Sequence, residues 1–122
     1  MEQPRNKEKI LSAGTLLFVA CWAAYCASYL GRINYTAALT AIVADGVFSK
    51  PHAGFIGTVY FFCYGAGQIF SGILGDRVSP YKMIGTGLAG TVCANIIMPL
   101  CSSSSITMSI IWGLNGIVQS ML

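Results

Sequence analysis

The chain has 122 residues, of which 55% are hydrophobic and only 9% charged, with a formal net charge of +3. Its mean hydropathy is +0.67. Soluble domains carry roughly 25% charged residues, so composition excludes that class and points to an integral membrane protein. A collagen-like or disordered chain is excluded too, because there is no repeat and too much apolar material.

Met1 to Lys9, "MEQPRNKEK", is polar and lacks the cleavage pattern of a signal peptide, so it reads as a tail. An apolar run follows from Ile10 to about Ala44. A spanning helix needs about 20 residues, so this one is long, tilted or partly outside the lipid. "DGVFSKPH", Asp45 to His52, ends it with a charged turn containing Gly and Pro. The second run, Ala53 to Gly75, stops at "DRVSPYK", Asp76 to Lys82. A third covers Met83 to Leu100, "CSSSS" makes a polar turn, and a fourth runs from Ile106 to Leu122. The expected fold is therefore an all-α membrane protein with four transmembrane helices in an up-down series.

Cytoplasmic segments carry the excess of lysine and arginine. An inside N-terminus places Arg5, Lys7, Lys9, Arg77 and Lys82 on the inner side and only Lys50 on the outer side. The expected location is the cell membrane, multi-pass, with a cytoplasmic N-terminus. Met121 and Leu122 provide no polar flank, basic anchor or interfacial aromatic, so the chain reads as part of a longer protein.

Chemistry-bearing residues are few. The five cysteines are scattered among apolar neighbours without metal-ligand spacing, and free cysteine buried in this way acts as a small hydrophobe. His52 sits alone beside Pro51 in an expected loop and is assigned no chemistry. "NYT", Asn34 to Thr36, matches a glycosylation acceptor but falls within a span, where the match is accidental. No nucleophile–base pair, paired acids or metal cluster stands out, so an enzyme is not expected, and neither a cofactor nor a nucleic-acid partner is implied.

One residue is out of place. "SYLGRINYTAAL", Ser28 to Leu39, holds a single arginine inside an uncharged run. A charge at bilayer depth is costly and usually faces a cavity or a partner. Residues at i, i+3, i+4 and i+7 share a helix face, which puts Tyr25, Ser28, Tyr29, Tyr35 and Thr36 in the Arg32 stripe. Arginine offers five donors in a rigid fork suited to phosphate or carboxylate. Arg32 is thus a candidate anion site, the alternative being a pairing with a helix carbonyl or a distant acid. On the second helix Gln68 shares a face with Tyr64, Phe61 and Gly72, while Gly67, Ser71 and Gly75 form a small-residue seam for helix packing. On the fourth helix Asn115 lies beside Trp112, Gln119 and Met108, where polar groups either line a cavity or bond between helices.

Three segments resemble one transporter family. "GILGDRVSPYK", Gly72 to Lys82, resembles the loop between the second and third helices of the major facilitator superfamily, with Gly72, Asp76 and Arg77 at the matching positions. Its D-R-x-S-P form resembles the version in the organophosphate:phosphate antiporter family, with Tyr81 where arginine is usual. "YLGRINYT" resembles that family's first-helix segment, and "WGLNGIVQS", Trp112 to Ser120, its fourth-helix segment. Members have twelve helices in two six-helix lobes around a central site, so the resemblance implies the first four helices of the N-terminal lobe.

The resemblance further implies an alternating-access antiporter exchanging phosphate for an organic phosphate. Its partners would be a small anionic substrate, the lipid bilayer and the remainder of the transporter. Arg32 corresponds to the first-lobe arginine that binds the phosphate group. The candidate substrate-binding set is Arg32, Tyr29, Tyr25, Tyr64, Gln68 and Asn115, with Gly72, Asp76 and Arg77 as the cytoplasmic loop motif. Ile33 and Gln68 stand where some sugar-phosphate carriers have a lysine. Two other readings remain: a transporter-like receptor that senses a sugar phosphate and signals to a kinase, and a small four-helix dimeric anion channel or carrier.

Overall fold

The computed structural model describes residues 4–101 and 103–122. Met1 to Gln3 of the expected tail and Ser102 of the serine turn lie outside the described residues. Four helices follow one another: α1 Pro4–Ala44, α2 Lys50–Gly75, α3 Pro80–Leu100 and α4 Ser105–Gln119. By length and composition α1, α2 and α3 are long and apolar enough to cross a membrane. The fourth has 15 residues and closes at Gln119, short of the expected Leu122.

Three helices start earlier than expected, and proline accounts for it. Proline at a first-turn position has no N–H to lose to the helix, and its fixed φ suits the start. Pro4 opens α1, Pro51 is the second residue of α2, and Pro80 opens α3. Ser49 and Ser79 precede α2 and α3 with extended backbone. His52 consequently lies in the first turn of α2 rather than in a loop, and its Nδ1 is 2.7 Å from Ser49 Oγ. With 41 residues, α1 is about 60 Å long, roughly twice the hydrocarbon thickness of a bilayer.

The end of α1 is set by Gly46, the one described residue with a left-handed backbone, at φ 68°. Val47 N donates to Ile42 O and Gly46 N to Val43 O, both at 3.2 Å. That pair of bonds is the Schellman closure, which satisfies the last carbonyls of a helix and reverses the chain.

Helix α4 is the hub of the packing, lying against α2 along its length and against α3 on another side. Two glycines explain how closely α2 and α4 approach. A Cβ on Gly116 would stand 2.6 Å from the backbone oxygen of Tyr60, and one on Gly67 would stand 3.2 Å from Ile117 Cα. The expected seam on α2 is therefore used at Gly67 and at Ser71, whose hydroxyl lies 2.9 Å from Ser120 Oγ. Gly75 is exposed. The third helix approaches α4 through Gly87 and Gly90, which face Leu122 and Val118.

At the Lys50 end, Tyr35, Ile56, Tyr60, Met98, Met108 and Trp112 form the buried apolar cluster. Tyr35 joins three helices there. Its ring lies 5.2 Å from that of Trp112, and its hydroxyl donates to Ala53 O at 2.8 Å. Elsewhere the apolar side chains face outward, as Phe62 and Phe70 do at 78% and 72% exposure, which suits lipid rather than water.

Gly116→Ala tests the α2–α4 approach. The added methyl must displace the α2 backbone, a strain expected to cost about 1–3 kcal/mol. Gly57→Ala places a methyl in open space on α2 and is expected to be neutral or slightly stabilising. Thermal unfolding in detergent, followed by circular dichroism, should show a lower midpoint for the first variant only.

Candidate functional site

The Arg32 stripe of α1 divides in two. Ser28 and Tyr35 are buried against the other helices, whereas Tyr25 and Tyr29 remain 58% and 41% exposed. Arg32 lies at the boundary, partly buried. Residues 28, 31 and 35 turn one edge of the helix inward, while 25, 29 and 36 sit around the turn from it. Gly31 permits the approach of that inward edge, since a Cβ there would stand 2.5 Å from Thr91 Cγ2.

Facing Arg32 is a ladder on α2. Tyr60, Tyr64 and Gln68 are spaced by four residues and follow one helix face. Tyr60 is buried, Tyr64 half-buried and Gln68 exposed, so the ladder leads from the interior to the open surface. The Tyr60 and Tyr64 rings are stacked with centroids 6.1 Å apart. Gln68 Nε2 donates to Tyr64 OH at 2.9 Å, which leaves the Tyr64 proton free to be donated. Both tyrosines lie near the middle of α2, so the guanidinium between them is near mid-span.

The guanidinium is surrounded by aromatic faces. Arg32 Cζ lies 4.5 Å from the Tyr64 ring centroid, 5.4 Å from Tyr29 and 5.8 Å from Tyr60. Ring faces attract a cation through their quadrupole, without neutralising it. Arg32 Nε donates to Tyr60 OH at 2.9 Å. Tyr60 OH in turn donates to Gln119 Oε1, and Gln119 Nε2 donates to Ser28 O at 3.1 Å. Three helices are thus linked through one chain of hydrogen bonds.

Among the described residues, carboxylates are distant from this point. Glu8 precedes Arg32 on the same helix by about 36 Å, and Asp45 follows it by about 20 Å, at about 1.5 Å of rise per residue. Asp76 belongs to the loop after α2. Among the described residues the charge is therefore met by dipoles and ring faces alone, which do not neutralise it.

Five of the six candidate substrate residues, Arg32, Tyr29, Tyr25, Tyr64 and Gln68, gather on the same side of the α1–α2 pair. The Tyr25 and Tyr29 rings are 5.0 Å apart and extend the group along α1. Asn115 is placed differently. It is 1% exposed inside the helix packing, and neither side-chain polar atom has a hydrogen-bond partner among the described residues. Its neighbours Gly113 and Gly116 draw α4 against α2 and so close the surroundings of Asn115.

Sequence reasoning missed Tyr60 and Gln119, the two residues that hold Arg32. The four-residue spacing of Tyr60, Tyr64 and Gln68 carried the signal for the first. Gln119 was visible only as a neighbour of Asn115 on the α4 face.

The loop motif lies at the far end of α2. Asp76 caps the helix with αR backbone and its N–H directed at Leu74 O, and Arg77 N donates to the same oxygen at 2.9 Å. Both side chains are exposed. A Cβ on Gly72 would meet nothing within 4 Å, so these four helices impose no need for glycine there.

Residues 21–122 match the family model described as Major Facilitator Superfamily. The chain is 33% identical over 103 residues to a probable hexose phosphate transport protein of Chlamydia pneumoniae, covering 84% of this chain and 22% of that protein. It is 31% identical over 103 residues to the membrane sensor protein UhpC of Escherichia coli K12, covering 84% and 23%. To the glycerol-3-phosphate transporter of Bacillus subtilis 168 it is 31% identical over 108 residues, covering 86% and 24%. The chain thus spans less than a quarter of the length of these curated relatives. No solved structure matches it. Matched by that family model over residues 21–122, this chain belongs to the Major Facilitator Superfamily.

Proposed function

We propose that the chain supplies the first four helices of a secondary transporter that exchanges organic phosphate for phosphate by alternating access. The observation that carries this reading is Arg32, a partly buried guanidinium near mid-span, framed by tyrosines and far from any described carboxylate. A permanent charge in a span requires a counter-charge, and an anionic substrate provides one that arrives and leaves. Midplane sites between two lobes are the common arrangement in such carriers. The second lobe would close the open side of the α1–α2 pair, with Tyr25, Tyr29, Tyr64 and Gln68 available to the substrate. The names of the hexose phosphate and glycerol-3-phosphate relatives support a phosphorylated substrate.

A second reading has a specific observation in its favour, the 31% identity to a membrane sensor. A sensor requires the same anion site without net transport. Uptake of radiolabelled organic phosphate into vesicles separates the two, because a sensor binds and does not accumulate.

The distribution of basic residues supports a cytoplasmic N-terminus. Single cysteines at positions 50 and 103, on a cysteine-free background, should react with impermeant reagent from outside. Those at 77 and 82 should react only after the membrane is opened. Labelling of both pairs from one side would contradict the four-span arrangement.

Arg32 is the residue on which binding should depend most. Arg32→Gln should abolish phosphate binding by correctly folded full-length transporter. Arg32→Lys should weaken it severely despite keeping the charge, since lysine cannot offer a bidentate fork. If Arg32 instead pairs with an acid elsewhere, both substitutions should reduce folded yield and leave the affinity of the surviving protein near normal.

A further inference from the structure

We infer that Tyr60 and Gln119 are positioning residues that hold Arg32 by its Nε atom and direct its Nη edge to the arriving anion. The inference deepens the phosphate reading and rests on it for the identity of the anion. The clamp itself rests on contacts between α1, α2 and α4.

The chemistry of the donors decides the arrangement. A guanidinium has one N–H on Nε and four on the two Nη atoms. Arg32 Nε is committed to Tyr60 OH at 2.9 Å. A phenol has one proton, and that of Tyr60 is committed to Gln119 Oε1. Tyr60 therefore cannot donate to an anion while the chain is intact, and it acts only by accepting from Arg32. Gln119 is fixed in turn, because its Nε2 donates to Ser28 O, leaving Oε1 directed at the phenol. Gln119 is 4% exposed and Tyr60 2%, so water does not compete readily for either bond.

Two approaches to the guanidinium are closed as a result. The Tyr64 ring packs against the guanidinium, with Cζ 4.5 Å from its centroid. The Nε side is occupied by Tyr60. The Nη1–Nη2 edge is left for bidentate contact with two oxygens of one anion, and the mode that uses Nε together with one Nη is blocked. Holding the fork in one orientation before binding reduces the ordering cost that a flexible arginine would carry.

The test uses the 122-residue chain in phospholipid nanodiscs, labelled with 15N at arginine side chains. It has three arginines, Arg5, Arg32 and Arg77, and Arg32→Lys identifies the Arg32 signals. The Arg32 Nε–H should exchange with water at least about tenfold more slowly than that of Arg77, because hydrogen bonds to charged groups are worth about a decade or more in equilibrium constant. Tyr60→Phe should remove most of that protection while helical content is unchanged. Gln119→Leu, which leaves the phenol in place but removes its acceptor, should reduce it and serves where Tyr60→Phe fails to fold.

In the full-length transporter, where the second lobe completes the site, inorganic phosphate should then move the Arg32 Nη signals and leave Nε–H protected. An unprotected Nε–H in the wild-type chain, protection that survives Tyr60→Phe, or release of Nε–H by phosphate would each overturn the inference. If phosphate moves no Arg32 signal in the full-length transporter while the protection and its loss in Tyr60→Phe are both seen, the clamp stands and the phosphate reading fails.

Discussion

A guanidinium in a membrane span must be stabilised where water is scarce, and the helix contacts around Arg32 meet that constraint. Desolvating an arginine near mid-span is costly, whichever estimate of the cost is used. Part of the cost is offset by the Tyr60 phenol and by the faces of Tyr29, Tyr60 and Tyr64. These partners are neutral, so the positive charge itself is retained. A carboxylate in the same place would pair with Arg32 and leave little attraction for a ligand. Aromatic partners stabilise the cation and keep it available.

That arrangement depends on backbone approach elsewhere. Tyr60 reaches Gln119 because α2 and α4 lie close enough for Gly116 to face the Tyr60 carbonyl directly. A side chain at Gly116 would separate the helices and lengthen the Tyr60–Gln119 bond, and Arg32 would lose its anchor without being touched. Gly31 acts in the same way for α1, bringing Ser28 O within reach of Gln119 Nε2. Small residues set the distances between helices, and polar residues use the proximity. The packing and the proposed site are therefore parts of one construction.

Much of this was legible in the sequence, for identifiable reasons. The apolar runs are long and the charges cluster between them, so the helices and their order followed from composition alone. Helix starts were misplaced at Lys50 and Pro80 because proline was read as a breaker, whereas at a first turn it begins a helix. Arg32 was conspicuous as a lone charge, and helical spacing collected Tyr25 and Tyr29 beside it. Tyr60 and Gln119 were not legible as a pair. Which turn of α2 meets which turn of α4 is a matter of register, set by the close approach at Gly116 and Gly67, and no single-helix pattern contains it. Asn115 shows the converse: its polarity was plain in the sequence, but its enclosure within the packing was not.

The central claim is that the unpaired charge of Arg32 is completed by a phosphate group in direct contact. Solid-state NMR distance measurement between 15N-labelled Arg32 and the 31P of bound phosphate, in the full-length transporter in bilayers, tests this most directly. The account predicts strong 31P dephasing at the Arg32 Nη atoms, consistent with charge-assisted N–H···O contacts of about 2.8 Å. Bound phosphate that dephases other basic residues and leaves Arg32 unaffected would contradict it.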